Sequence, residues 1–231
     1  MSRHRAWAAI ACALFSTAAA AADSASIAIP QRPIYVTAGV GPNILGTTAV
    51  AIRAARFNGS WAHAMQDASR SPLLQAMIAP ARNMPPLQQL AYVQSRVTNN
   101  IRWVSDATEW GQHDYWASAS ETLAHGAGDM EDRAIVKMQA LRALGYNPGD
   151  LWLTLARDRV GGPITVLTAR LAGRYYVLDD TGGAPFLADS RQKEFQPIFS
   201  FGWSTAWVHT RPPIAPPIRT AASPMAPYGG K

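Results

Sequence analysis

The sequence predicts an α+β domain, with helices packed on an antiparallel sheet. Three observations carry this. Apolar residues recur at helical spacing through the first two thirds of the chain, and the period switches to two from Leu151 onward. The order is the third: helices first and a meander of strands afterwards is the pattern of a segregated α+β fold, not of alternating βαβ units.

The elements follow in order. Residues 23–46 contain Pro30, Pro33 and Pro42 with several glycines and read as an extended, mostly irregular lead-in. From Thr47 to Met77 the pattern is mixed, with a helix near "SPLLQAMIA". "PPLQQLAYVQSRVTNNI" (85–101) is a stronger helix. Its two prolines suit the first turn, and Leu87, Leu90, Ala91, Val93, Val97 and Ile101 form its apolar stripe. A loop rich in Trp and Asp follows, "RWVSDATEWGQHDYW", then a short helix, "SASETLAHG".

The clearest helix runs through "GDMEDRAIVKMQALRALG" (128–145). Asp129 is an N-cap, and Glu131 and Asp132 complement the positive end of the dipole. Ala134, Ile135, Met138, Leu141 and Leu144 make the expected buried stripe, and Gly145 the C-cap. "LWLTLAR" (151–157), "ITVLTAR" (164–170) and "RYYVLDD" (174–180) read as strands, the last two joined through "LAG", and "FQPIFSFGW" adds a fourth.

The ends bound the domain. Arg3, His4 and Arg5 precede the apolar run Ala6 to Phe15 and then "STAAAAAD", the layout of a secretory signal peptide cleaved after Ala22. The apolar run is too short to span a bilayer. A lipoprotein cleavage at Cys12 fits poorly, because it would cut that run in half. Residues 1–22 are thus the expected signal peptide, 23–46 the lead-in, 47–210 the domain, and 211–231, with six prolines, a disordered tail.

Cleavage would remove Cys12, the only cysteine, and leave 19 basic against 15 acidic side chains, a net charge of +4. That weak excess, with no basic run, argues against nucleic acid as a partner. No second long apolar segment appears. The expectation is a periplasmic or secreted protein with no transmembrane segment after cleavage.

The phrases "RWVSDATEWGQHDYWASASETLAHGAGDMEDRAIVKMQALRALG" and "ITVLTARLAGRYYVLDD", with "FQPIFSFGW" after them, resemble the bacterial transglutaminase-like cysteine proteinases. These form a periplasmic branch of the papain/transglutaminase superfamily. The resemblance implies a papain/transglutaminase-like fold in which the nucleophile-bearing helix precedes the strands. In that family a Cys opens the helix in Gly-Asp-Cys-Glu-Asp, a His opens a strand in His-Ala-Val-Leu, and an Asp closes the partner strand in Leu-Asp-Asn. Such a triad holds a thiolate at the helix N-terminus, shares its proton with the His and orients the His through the Asp.

Carried onto this chain, the Cys falls on Met130, the His on Ile164 and the Asp on Asp179. A thioether has no ionisable proton and cannot serve as the acyl-transfer nucleophile. The two apolar replacements are expected to pack against each other as core. Without the His, Asp179 reads as a polar residue at a strand end on the surface.

The resemblance also implies calcium beside the nucleophile position, with Asp129, Glu131 and Asp132 as the ligands. Hard carboxylate oxygens suit that ion. Helix capping explains the same residues without a metal, and both readings stand.

The functional expectation is a secreted, catalytically inactive homologue that binds a protein or polysaccharide partner in the envelope. The alternatives are a hydrolase with a relocated Ser/Thr–His site and a calcium-stabilised structural component of an envelope assembly. Ser118, Ser120, Thr165 and Thr168 are the hydroxyls near the old site, and His113 and His125 the nearest bases in sequence. Trp103, Trp110, Tyr115 and Trp116 read as a roof over the core, or else as a wall that contacts a peptide or glycan.

Overall fold

The computed structural model describes residues 41–52, 58–181 and 183–211. The expected signal peptide, most of the lead-in and nearly all of the proline-rich tail lie outside the described residues.

Strand β1 (Thr48–Ile52) is followed by helices α1 (Asn58–Ala64), α2 (Pro72–Ile78) and α3 (Pro86–Asn100). Ser71 caps α2, and Pro72 and Pro86 occupy first-turn positions, where a missing N–H costs nothing. Helix α3 buries Leu90, Val93 and Val97. Leu87, expected in the same stripe, is 49 % exposed, and its first-turn neighbours Pro86 and Gln88 also lie on the surface.

Strand β2 (Arg102–Trp103) pairs in parallel with β3 (Ala127–Gly128). Between them lie α4 (Asp106–Glu109), inside the segment read as loop, and α5 (Ala119–His125). Ser118 and Glu121 close a capping box on α5: the Ser118 hydroxyl accepts from the Glu121 N–H while the Glu121 carboxylate accepts from the Ser118 N–H.

Helix α6 (Met130–Ala143) is the centre of the domain. The sequence suggested one apolar stripe. The structure instead buries every residue from Glu131 to Leu141, including Arg133, Lys137 and Gln139. Packing on three sides explains this, since α3, α5 and strand β5 (Pro163–Leu171) all contact α6. Its charged groups are then paired internally: the Arg133 guanidinium donates to Asp180 at 2.6 Å, and the Lys137 ammonium to the Asp179 carbonyl at 2.6 Å.

The remaining strands are β4 (Leu151–Arg157), β6 (Arg174–Leu178), β7 (Phe186–Leu187), β8 (Gln196–Phe201) and β9 (Ala206–Thr210). They form one seven-stranded sheet in the order β1-β9-β8-β4-β5-β6-β7, with antiparallel neighbours throughout. The β5–β6 connection is tighter than the expected three-residue link. Leu171 pairs with Arg174, and Ala172 and Gly173 both take positive φ, the twist a two-residue hairpin requires. Strands β1 and β9 were not read from the sequence. "TAVAI" is short and half alanine or threonine, and β9 follows β8 after only four residues.

The main core lies between the helices and one face of the sheet. A second cluster lies on the other face: Ile44 and Leu45, from the stretch read as lead-in, cover Val166, Val177 and Phe186. Among the described residues, no helix is long and apolar enough to cross a membrane.

Candidate functional site

The N-terminus of α6 is where the site forms. Asp129 is the N-cap, and its Oδ1 accepts from the N–H groups of Glu131 at 3.0 Å and Asp132 at 3.4 Å. Met130 takes the first helical position, partly buried. Gly128 allows the chain to approach this turn: a Cβ there would lie 2.7 Å from the Asp132 Cβ and 2.8 Å from its Oδ2.

Three buried carboxylates converge at this end. Asp106, Asp129 and Asp132 each offer an oxygen, and these atoms lie within 4.8 Å of one another. Asp106, from the first turn of α4, accepts the Tyr115 N–H at 2.7 Å, and Asp132 accepts the Ala117 N–H at 2.9 Å. Their other oxygens, Asp106 Oδ1 and Asp132 Oδ2, are buried with no hydrogen-bond partner among the described residues, as is Glu131 Oε2.

The electrostatics of the centre are set by burial of its carboxylates. Burial pushes Asp106 up to about 6, Asp132 up to about 7 and Glu131 up to about 8. Burial, then repulsion from Glu131 and Asp132, raises Asp129 well above the carboxylate range. A divalent ion would offset the clustered negative charge and engage the unpartnered oxygens, so the donor set fits a hard cation.

Of the expected ligands, Asp129 and Asp132 face this centre. Glu131 instead accepts the Thr165 hydroxyl at 2.9 Å through Oε1, leaving Oε2 free. Asp106 was missed. It sits 23 residues before Asp129 in a segment read as loop, and no local pattern ties the two together.

The three triad positions do not meet as expected. Ile164 packs with the second cluster on the far face of the sheet, and Met130 stands outside both clusters. Beside Ile164, it is Thr165 that turns toward the start of α6. Asp179, expected on the surface, is only 4 % exposed. Its Oδ1 accepts from Gln94 Nε2 at 3.2 Å and the Thr181 hydroxyl at 2.8 Å, and Lys137 holds its carbonyl. A polar strand end can be buried here because α3 and α6 bring donors to it.

The histidines are engaged elsewhere. His125 pairs with Glu109 at 2.9 Å and packs against the Trp110 ring, while His113 is exposed. His63 meets Glu121 at 2.8 Å and the Tyr115 hydroxyl at 2.9 Å. His209 does lie between hydroxyls, with Thr47 Oγ1 on Nδ1 and Ser200 Oγ on Nε2, each at 2.8 Å. That pair lies inside the sheet, and Ser200 is 0 % exposed.

Of the aromatic loop, Trp116 roofs the core, edge-on to Trp61 and Phe201. Trp110 and Tyr115 pack together, partly exposed, with their rings tilted by 45° at a centroid distance of 4.8 Å.

Residues 66–208 match the model of the bacterial transglutaminase-like cysteine proteinases. No curated protein matches the chain. Among solved structures, calcium-bound LapG of Legionella pneumophila is 23 % identical with a TM-score of 0.52, over 68 % of this chain and 88 % of that one. EGTA-treated LapG from the same organism is 24 % identical with a TM-score of 0.51, over 69 % and 87 %. The likeness is one of fold: a helix backed by an antiparallel sheet in the transglutaminase-like and papain-like arrangement that the sequence suggested.

Proposed function

The chain belongs to the bacterial transglutaminase-like cysteine proteinase family, and on that premise we propose that it is a member without peptidase activity, a calcium-holding binding protein of the cell envelope. The observation that carries this reading is Met130 at the first position of α6, the place the family gives to its nucleophile. The helix N-terminus and its Asp129 cap are in place at that position. The thiol is not, and Ile164 gives no imidazole to take its proton. No acyl intermediate can form on a thioether.

Calcium is the cation the site favours. Asp106, Asp129 and Asp132 would hold it, with Glu131 Oε2 within the same buried turn. The ion would supply charge balance and fix the 106–117 loop, whose backbone both Asp106 and Asp132 already grip. The relative LapG is known in calcium-bound and EGTA-treated forms, which supports the same ion here. The loop then presents Trp110 and Tyr115 to a protein or polysaccharide partner. The basic start and apolar run of the sequence support an exported location.

A relocated Ser–His hydrolase finds no support at Ser200, since a fully buried hydroxyl reaches no substrate. The test is purified protein incubated with protein substrates, in calcium and in chelator, beside capture from its own envelope fraction. The expected result is no cleavage and calcium-dependent recovery of one partner. Cleavage that is lost on His113→Ala or His125→Ala would overturn the proposal.

A further inference from the structure

The outer face of the sheet, turned away from the helices, carries two tryptophans that belong to neither apolar cluster. Residues paired across a ladder share a face, and the register places both rings there. Trp207 pairs with Ser200, Ser200 with Thr154, and Thr154 with Val166. Trp152 reaches the same face through Thr168 and Val177. Val166 and Val177 lie in the second cluster, which Ile44 and Leu45 cover. Trp152 and Trp207 lie outside both clusters, yet they are only 1 % and 6 % exposed.

The two rings are neighbours, with Gly202 against both. A Cβ on Gly202 would lie 2.9 Å from Trp207 Cζ3 and 3.2 Å from Trp152 Cδ1. Gly41 meets the opposite edge of the Trp207 ring: a Cβ there would lie 2.6 Å from Cδ1 and 2.7 Å from Nε1. The Trp207 Nε1–H is buried and donates to nothing among the described residues. A buried indole N–H ordinarily has an acceptor. The place to seek it is the chain that passes beside Gly41.

Three stretches outside the described residues are candidates. Residues 53–57 leave β1 at Ile52, opposite Ala206, but they carry Arg53 and Arg56 and lead to α1. Trp61 of that helix packs on Phe201, on the helix side of the sheet. The tail leaves β9 beyond Thr210, at the other end of the strand from Trp207. Residues 33–40, "PIYVTAGV", run directly into Gly41 and so end against the Trp207 ring. They carry no charge, and Ile34, Tyr35, Val36 and Thr37 are the residue types that suit a pleated, half-buried surface.

We propose that residues 33–40 dock on this outer face as a strap over Trp207 and Trp152, with a main-chain carbonyl of the strap accepting from Trp207 Nε1. The strap extends the cover that Ile44 and Leu45 provide over Val166 and Val177, and makes the lead-in a part of the domain.

Hydrogen exchange of the full chain freed of its expected signal peptide, read by mass spectrometry, tests this. Amides of 33–40 are expected to exchange at least about tenfold more slowly than those of the tail, 212–231. Ile34→Asp and Tyr35→Asp are then made singly. Neighbouring side chains of an extended segment point to opposite sides, so at least one of the two places a carboxylate against the indoles. That variant should return 33–40 to the tail's rate and shift tryptophan emission to the red. Exchange of 33–40 at the tail's rate in the unsubstituted chain would overturn the proposal, as would protection that neither substitution disturbs. Protection lost on dilution would overturn it as well, because the strap would then lie on a second copy. So would a protected tail beside an unprotected 33–40.

Discussion

Lys137 donates its ammonium to the carbonyl of Asp179 at 2.6 Å, inside a core where Lys137 is 1 % exposed. A lysine this deep is held by few contacts, with the Asp180 carboxylate 3.9 Å away, and burial pushes it down to about 8. Removing it leaves a buried carbonyl and a half-paired carboxylate. Lys137→Met should therefore lower the unfolding free energy by about 3 kcal/mol, read as a shift in urea midpoint at unchanged slope.

The carboxylate centre makes stability depend on calcium. Melting temperature should rise with calcium by mass action. Asp129→Ala should abolish the rise, and Asp106→Asn should weaken calcium binding by about tenfold, since affinity follows the number of charged ligands. An identical melt in calcium and chelator would count against any metal at this site.

Gly128→Ala probes the same centre without replacing a ligand. The added methyl would lie 2.7 Å from the Asp132 Cβ. Overpacking of that kind costs about 2 kcal/mol, and the displaced Asp132 should lower calcium affinity with it. Thermal melts with and without calcium read both effects.

His209 sets an acid limit. Burial pushes it down to about 4 from the ordinary 6.5. Between those values the unfolded chain holds a proton that the folded chain does not, so stability rises with pH across the window and is lost as pH falls. The contribution is about 3 kcal/mol. His209→Gln, which cannot charge, should flatten that part of the profile; urea titrations at several pH values in saturating calcium isolate it from the carboxylates.

Much of the fold was legible because local chemistry announced it: Asp129 before Glu131 and Asp132, Pro85 and Pro86 before a helical stripe, and the two-residue alternation of the four strands. The site was legible only where it follows the chain. Asp129 and Asp132 are one turn apart on α6, and both appear in the sequence as candidates. Asp106 comes to them through the β2–β3 pairing, which two residues on each side define and no period reveals. Asp179 was misplaced for the same reason. A strand-end aspartate looks exposed until Gln94 and Lys137, from two distant helices, are found to enclose it. Ile164 and Thr165 show the limit of motif transfer: one step along a strand decides which side of the sheet a residue serves.

The first and last described strands, β1 and β9, lie side by side, with Thr48 opposite Thr210. The chain is in this respect almost a closed ring. A linker from Arg211 back to Gly41, which keeps Ile44 and Leu45 over the second cluster, with new ends opened at Val160, an 88 % exposed hairpin tip, would preserve every ladder of the sheet. Such a rewired molecule would carry whatever is attached to its new ends at the β4–β5 tip, at the same end of the strands as Thr48 and Thr210 but with β8 between β9 and β4.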